Sequence, residues 1–526
     1  EFNRHNTWFE QSKTWIDYLR RCSVMLQTGQ PVADVAYFIS EDTPKMTGLR
    51  SPELPPGRDF DFINAEVIQK DLAVSNGLLT LPHGVTYRVL ALPESATMRP
   101  ELLRRIRDLV KAGATVVGKP PSRSPSLEDF PKCDEAVRQL AREVWGDTPA
   151  SLSGEHALGK GRVVWGRGLD EVLAALGSKP DFASPARLRF KHRRQGDTEI
   201  YFVANPDTAP VTTVAAFRAN GRMPELWWPD TGRIERPAAF EAADGEVRVP
   251  LSLGPNVSVF VVFRPGKAGF DPVLTVTRDA QPVFPTPATP REIAIEKAVY
   301  GVLGDTNRTR DVRDKVQALM DNGESTFQVG RLAEGDDPAY GIVKTLAVEY
   351  RIGSEVLKAT GQDPESITLL DSPAGQPVRL CRDASGNISL EAWEPGRYEL
   401  TSAAGRKLHA EVAPLPEPIV ITGPWEVAFD PKWGGPQRAE DGKEGKIVFD
   451  ILQDWTTRQE PGIRYYSGRA TYRKTFELPA AQVGRAGSRL TLDLGDVRNL
   501  ATVRVNGREL ATVWLAPWQV DITAAV

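Results

Sequence analysis

A chain of 526 residues is too long for a single small binding module, and at roughly 100–200 residues per domain it should hold about three to five domains. Its 65 lysines and arginines nearly balance 69 aspartates and glutamates, leaving a net charge of −4 and none of the basic excess that nucleic-acid binding requires. Hydrophobic residues make up 41%, and no run comes near the roughly 18 consecutive apolar residues of a membrane span, so none is expected.

The chain opens on Phe2-Asn3-Arg4-His5-Asn6-Thr7-Trp8 and passes into a helical pattern in which Trp15, Leu19, Cys22 and Leu26 share one face. That face needs a partner, either later in the chain or in sequence outside it. From Val32 the texture is strand and helix in turn. Val35 to Ile39 reads as a buried strand, residues 63–70 as a helix, and Tyr87 to Leu92 as a second strand. Pro100 opens a helix whose apolar face is Leu102, Leu103, Ile106, Leu109 and Val110; Gly113 closes it, and Thr115 to Gly118 is the next strand. This alternation predicts a parallel sheet covered on both faces. Near Trp165 the pattern changes to short alternating strands such as Glu199 to Val203 and Val257 to Phe263, which predict antiparallel sheet. Pro282, Pro285, Pro287 and Pro290 read as a stiff linker. Beyond it lie a β segment (Ile293 to Val302), a polar helix (Asp311 to Asp321) and further strands to Glu411. Pro414, Pro416 and Pro418 introduce a last block of alternating runs, with the hairpin signal Asn506-Gly507 between two of them; it reads as incomplete at Val526.

Three cysteines, Cys22, Cys133 and Cys381, are too few for a disulfide framework, and the five histidines stand isolated, so a zinc site is not supported. The first parallel strand is followed by Ser40-Glu41-Asp42-Thr43-Pro44, with no glycine-rich turn to hold phosphate. Neither a Gly-x-Ser-x-Gly elbow nor a Walker sequence occurs. Glu41 and Asp42 lie at the carboxyl edge of that strand, where open α/β sheets place ligands; their plainer role is a loop carboxylate that caps a helix. Asn3, Arg4, His5, Asn6 and Trp8 combine several hydrogen-bond donors with an aromatic ring, the mixture a polyhydroxylated ligand needs. Here too a helix start, with Asn6 or Thr7 as the cap, accounts for the same residues. Trp227-Trp228 can stack on a sugar or alternate between core and edge of a strand.

Three runs, Phe2 to Phe9, Val32 to Asp42 and Asp59 to Asn64, together resemble glycoside hydrolase family 106, the α-L-rhamnosidases. Leu81 to Leu90 and Gly113 to Pro121 are similar to the glutamine-amidotransferase-like domain that follows the catalytic barrel in that family. Gly423 to Val427, Gly462 to Gly468 and Val505 to Leu510 resemble the jelly-roll, sugar-binding-type domain shared with family 2.

The resemblance implies a multidomain α/β plus all-β chain. Residues 1–30 would be the last strand and helix of a (β/α)8 barrel and 31–165 a flavodoxin-like, amidotransferase-like domain. Residues 166–280 would be a β-sandwich, 291–413 a small β-rich domain, and 419–526 an incomplete family-2-like jelly roll. It further implies inverting hydrolysis of terminal α-linked rhamnose by two glutamates, with calcium as a family feature, rhamnose-containing glycans as partners and a periplasmic or extracellular location. A barrel needs roughly 200 residues or more before Phe2, so the barrel and its catalytic glutamates are expected to be missing. Carried over residue by residue, Asn3, Arg4, His5 and Trp8 would line the sugar pocket, and Glu41 and Asp42 would reach its rim. The competing readings are a carbohydrate-binding module without hydrolysis and a scaffold that binds nothing.

Overall fold

Short runs of alternating apolar residues dominate the sequence, and in the computed structural model they fold mostly into strands, gathered in several sheets with few helices. The structure describes residues 3, 5–41, 50–147, 152–266, 270–284, 293–321, 326–352, 355–363, 365–369, 378–383, 385–436, 447–479, 482–483 and 487–526.

The α/β domain is built on a six-stranded sheet in the order 60–63, 35–38, 89–91, 115–117, 161–165, 154–158; the first five strands run parallel and the last antiparallel. Alternation splits its side chains between two cores. Ala36, Phe38, Leu90, Val116 and Val163 pack beneath the helices Pro100–Ala112 and Lys132–Trp145. Val35, Tyr37, Val89, Ala91 and Val164 pack against Leu169, Val172 and Leu173 of the helix Leu169–Ala175. Pro100 at the start and Gly113 at φ 128° at the end bound the helix as the sequence predicts. One strand was not legible. Phe60–Ile63 forms the sheet edge, and only Asn64 onward turns into a helix, Ala65–Lys70, capped by the Asn64 side chain. Asp59 and Asp61 make that run look like a loop, a composition a sheet edge tolerates because one side of it meets solvent.

The next layer is antiparallel. An eight-stranded sheet in the order 30–31, 189–195, 198–204, 258–265, 222–227, 234–237, 378–382, 388–392 faces a four-stranded sheet of 182–183, 211–217, 246–253 and 241–243. Tyr201, Phe217, Val249 and Phe263 fill the space between them. The outer face of the larger sheet receives the helix Lys13–Gln27, whose Tyr18, Cys22, Met25 and Leu26 pack on Ile200, Phe260 and Val262. The partner that this helix needs is therefore later in the same chain. The opening segment, expected as a barrel strand, consists of turns and a single 3-10 turn, Glu10–Ser12, in the residues described.

Of the linker expected at Pro282 to Pro290, Pro282 lies inside the strand Gln281–Phe284 instead, and residues 285–292 fall outside the described residues. Strands 281–284 and 273–278 pair onward with 396–402 and 407–412, and this sheet packs on the hairpin 378–392. Residues 293–369 thus form a unit with its own core between two halves of another, a topology that separates sequence neighbours and that proline spacing does not reveal. After the exposed stretch around Pro414 to Pro418, the last block holds a three-stranded sheet of 447–449, 425–429 and 470–473 and two strand pairs, 491–493 with 519–521 and 501–505 with 508–513. Asn506 and Gly507, at φ 50° and 79°, make the predicted tight hairpin turn.

Candidate functional site

Where the opening segment, the edge hairpin of the eight-stranded sheet and the C-terminal block meet, they enclose a cleft of about 3400 Å³. The opening segment contributes Thr7, Trp8, Glu10 and Gln11, the strand 234–237 and the residue before it contribute Glu235 and Arg233, and the hairpin contributes Arg379 and, just past its end, Trp393. Antiparallel pairing of strands 234–237, 378–382 and 388–392 sets these side chains in rows across the sheet.

The wall is a ladder of alternating charge. Glu235, 7% exposed, accepts from Arg233 at 2.5 Å and from Arg379 at 2.7 Å; Arg379 also reaches Glu391 at 3.4 Å, and Glu391 meets Arg489 of the C-terminal block at 3.2 Å. Glu10 of the opening segment pairs with Arg469 across the cleft at 2.9 Å. Burial depresses the Arg233 guanidinium, partly offset by the Glu235 charge, whereas at Arg379 burial is outweighed by Glu235, Cys381 and Glu391 acting together, which raise it. Burial and the Glu235 carboxylate push the Cys381 thiol up, which keeps it protonated and unfit as a nucleophile. The rim carries an aromatic surface in Trp393, 54% exposed.

Of the candidates chosen from the sequence, the cleft lining takes in Trp8, half-buried and edge-on to Trp15 at 6.4 Å between ring centroids. Asn3 Oδ1 accepts the backbone N–H of His5 at 2.9 Å, a local turn, and the His5 side chain is exposed; neither is among the lining residues. Arg4 and Asp42 lie outside the described residues. Glu41 is on the α/β domain and is not part of the cleft lining. Its carboxylate accepts from the Arg99 backbone N–H at 2.7 Å and from Arg99 Nε at 2.5 Å. Arg99 is the residue before the helix Pro100–Ala112 and has no side-chain cap of its own, so Glu41 supplies the cap from a distant segment. Glu41→Ala is expected to cost about 1–2 kcal/mol, read as a lower melting temperature with glycan binding unchanged. Loss of binding at unchanged melting would instead make Glu41 a sugar ligand.

Trp227 and Trp228 are both engaged in packing. Trp227 Nε1 donates to Glu225 at 3.0 Å with Arg264 over its ring, and the side chain packs with the helix Lys13–Gln27; Trp228 packs against the sandwich core. Among the described residues no group of three or more His, Cys, Asp or Glu is placed to hold a metal ion. No helix there is long and apolar enough to cross a membrane. Sequence reasoning missed the cleft wall because its residues come from strands about 150 positions apart; the alternation Arg233-Ile234-Glu235-Arg236 was the one local hint.

Comparison with known proteins adds a family. Residues 1–241 match the sequence model of glycoside hydrolase family 106, α-L-rhamnosidase. A protein of Formosa agariphila named putative beta-glucuronidase is 29% identical over 612 aligned positions, which span 99% of this chain and 51% of that protein. The solved rhamnosidase of Novosphingobium sp. PP1Y superposes with a TM-score of 0.63 at 26% identity, over 100% of this chain and 36% of its own. The chain thus spans about half the length of the curated relative and about a third of the solved enzyme. A sequence match over residues 1–241 and a structural match over the whole chain agree, and both make the chain similar to the α-L-rhamnosidases of glycoside hydrolase family 106.

Proposed function

We propose that this chain is the C-terminal, accessory portion of an α-L-rhamnosidase-like glycoside hydrolase, and that the general acid and base lie outside the residues present here. The intact enzyme would remove terminal α-linked rhamnose from glycans with inversion, in the periplasm or outside the cell. The observation that carries this reading is the chemistry of the cleft wall. Inverting hydrolysis needs one carboxyl group to protonate the leaving oxygen and another, about 6.5–9.5 Å away, to activate water. Glu391 spends both oxygens on arginine, and Glu235 takes Arg233 and Arg379 on Oε1 with Cys381 Sγ 3.9 Å from Oε2, the arrangement of a structural ion-pair ladder rather than of an acid and a base facing a sugar. The unmatched share of both relatives supports the same reading.

Within this proposal, residues 1–30 are the end of a (β/α)8 barrel and 31–165 a flavodoxin-like domain of the amidotransferase type. The strand order second, first, third, fourth, fifth supports the latter. The last block, a three-stranded antiparallel sheet and two antiparallel strand pairs, supports a jelly roll only in being all β.

The test is hydrolysis of an aryl α-L-rhamnoside by the 526-residue chain. No turnover above the buffer rate is expected; turnover would overturn the proposal. A second reading, glycan binding without hydrolysis, is favoured by the exposed Trp393 on the cleft rim. It predicts calorimetric binding of a rhamnose-containing oligosaccharide that Trp393→Ala weakens at least about tenfold, the loss of one stacking contact. No heat at millimolar concentration would leave a scaffold.

A further inference from the structure

A chain of buried charges runs across the junction between the α/β domain and the β-sandwich, away from the cleft. His192 sits in the strand Arg189–Gln195 with its side chain 0% exposed and its ring stacked on Tyr201 at 3.8 Å. Nδ1 lies 2.9 Å from Asp181 and Nε2 lies 2.9 Å from Glu199, and both carboxylates are 2% exposed. Asp181 also accepts from Tyr201 Oη at 2.9 Å and pairs with Arg218 at 3.2 Å; Glu199 pairs with Arg194 at 2.9 Å and Arg222 at 3.1 Å. Arg218 reaches over to Asp34 of the α/β domain at 3.2 Å, and Asp34 in turn holds Arg58 at 2.7 Å and Arg88 at 3.2 Å. The backbone crosses at the same place. Asp181 N–H donates to Gly57 at 2.8 Å, and Val32 N–H donates to the His192 carbonyl at 3.0 Å.

A neutral imidazole has one N–H and one lone pair. With a carboxylate in direct contact at 2.9 Å from each ring nitrogen, the neutral ring would set its lone pair against a carboxylate oxygen in a buried site. The geometry therefore calls for the imidazolium, which donates at both ends. We propose that His192 is a cationic pin that locks the α/β domain against the β-sandwich, and that loss of its charge releases the lock. Through Asp181 and Arg218 the pin also holds Asp34, which immediately precedes the strand Val35–Phe38 leading to Glu41, so the lock sets where that loop lies relative to the sandwich and the helix Lys13–Gln27. Burial alone would lower the His192 value, but the Asp181 charge and the hydrogen bonds to Asp181 and Glu199 outweigh it and raise it. The sign follows. A raised value means that the contribution is full below the ordinary histidine range and is lost as pH rises through the value in the folded protein.

The test uses the full chain. Nitrogen-15 spectra of the histidine rings should show both His192 nitrogens protonated at pH 7, above the ordinary histidine value, where an unpartnered histidine is mostly neutral. Hydrogen exchange in segments 30–34, 56–59 and 178–182 should be at least about tenfold faster in His192→Gln than in the parent at pH 7. After correction for intrinsic rates, the parent should approach the variant as pH rises. Equal protection in the two proteins, or a loss in the variant with no pH dependence in the parent, would overturn the proposal. Should His192→Gln fail to fold, the parent spectrum decides alone, and a ring with a single N–H at pH 7 overturns it.

Discussion

Asp34→Ala should destabilise the joined α/β and sandwich domains by about 3–5 kcal/mol, because it removes the one carboxylate that Arg58, Arg88 and Arg218 share. Asp34 is 3% exposed and the Arg58 side chain 5%. Without Asp34, Arg58 keeps, among the described residues, the hydroxyl and carbonyl of Ser178, two neutral acceptors, for a buried charge. An unpaired buried cation costs far more than the net value of the pair, since the desolvation penalty remains while the Coulomb attraction is gone. Asp34→Asn, which keeps one acceptor and the shape, should cost less. A multidomain chain does not unfold in a single step, so the transition to follow is the one reported by Trp145, Trp165, Trp227 and Trp228, which lie in these two domains. A loss under about 1 kcal/mol would mean that the site opens to water and behaves as a surface ion pair.

Acid should dismantle the same junction from the other side. Burial by itself would raise Asp181 and Glu199, but the His192 charge and hydrogen bond, with Arg218 and Tyr201 at Asp181 and Arg194 at Glu199, bring both below their ordinary values of 3.8 and 4.5. A lowered carboxylate contributes stability that is full above its unfolded value and lost as pH falls through its folded one. The sandwich should therefore hold full stability above about pH 4.5 and lose it progressively below, while the His192 contribution fades only on the alkaline side of the histidine range. Denaturation midpoints measured across pH would show a plateau between two falling limbs. Glu199→Gln should flatten the acid limb and move the alkaline limb to lower pH, because it removes one of the two carboxylates that favour the imidazolium. An acid limb identical to the parent's would show that the carboxylates titrate as exposed groups.

The elements legible in the sequence were those whose signal is local. The helix Pro100–Ala112 has its proline, its apolar face and its closing glycine within fourteen residues, and the Asn506-Gly507 hairpin has its two positive φ angles at the two residues that tolerate them. The parallel block was readable because strands buried on both faces are apolar throughout. The rhamnosidase resemblance came from motifs in the same stretch, and the family match covers residues 1–241.

What only the tertiary structure decided is which distant residues meet. Glu41 was chosen for its place at the edge of a parallel sheet, and that place is correct, yet whether its carboxylate faces a ligand or the start of another helix depends on where Arg99 comes to rest. The unit at 293–369 stands between two halves of one sheet, because strand pairing follows spatial neighbours and proline spacing follows the chain. His192 lies in the run Arg189-Phe190-Lys191-His192-Arg193-Arg194, which reads as a solvated basic edge. A hairpin register sets it opposite Tyr201 and beside Glu199, and the domain junction brings Asp181 to its other nitrogen. Periodicity can tell which face of an element is apolar, because burial of that face is nearly independent of its partner. A charge among basic neighbours becomes a buried pin only when another segment delivers the opposite charge, and that information is spread over the whole fold.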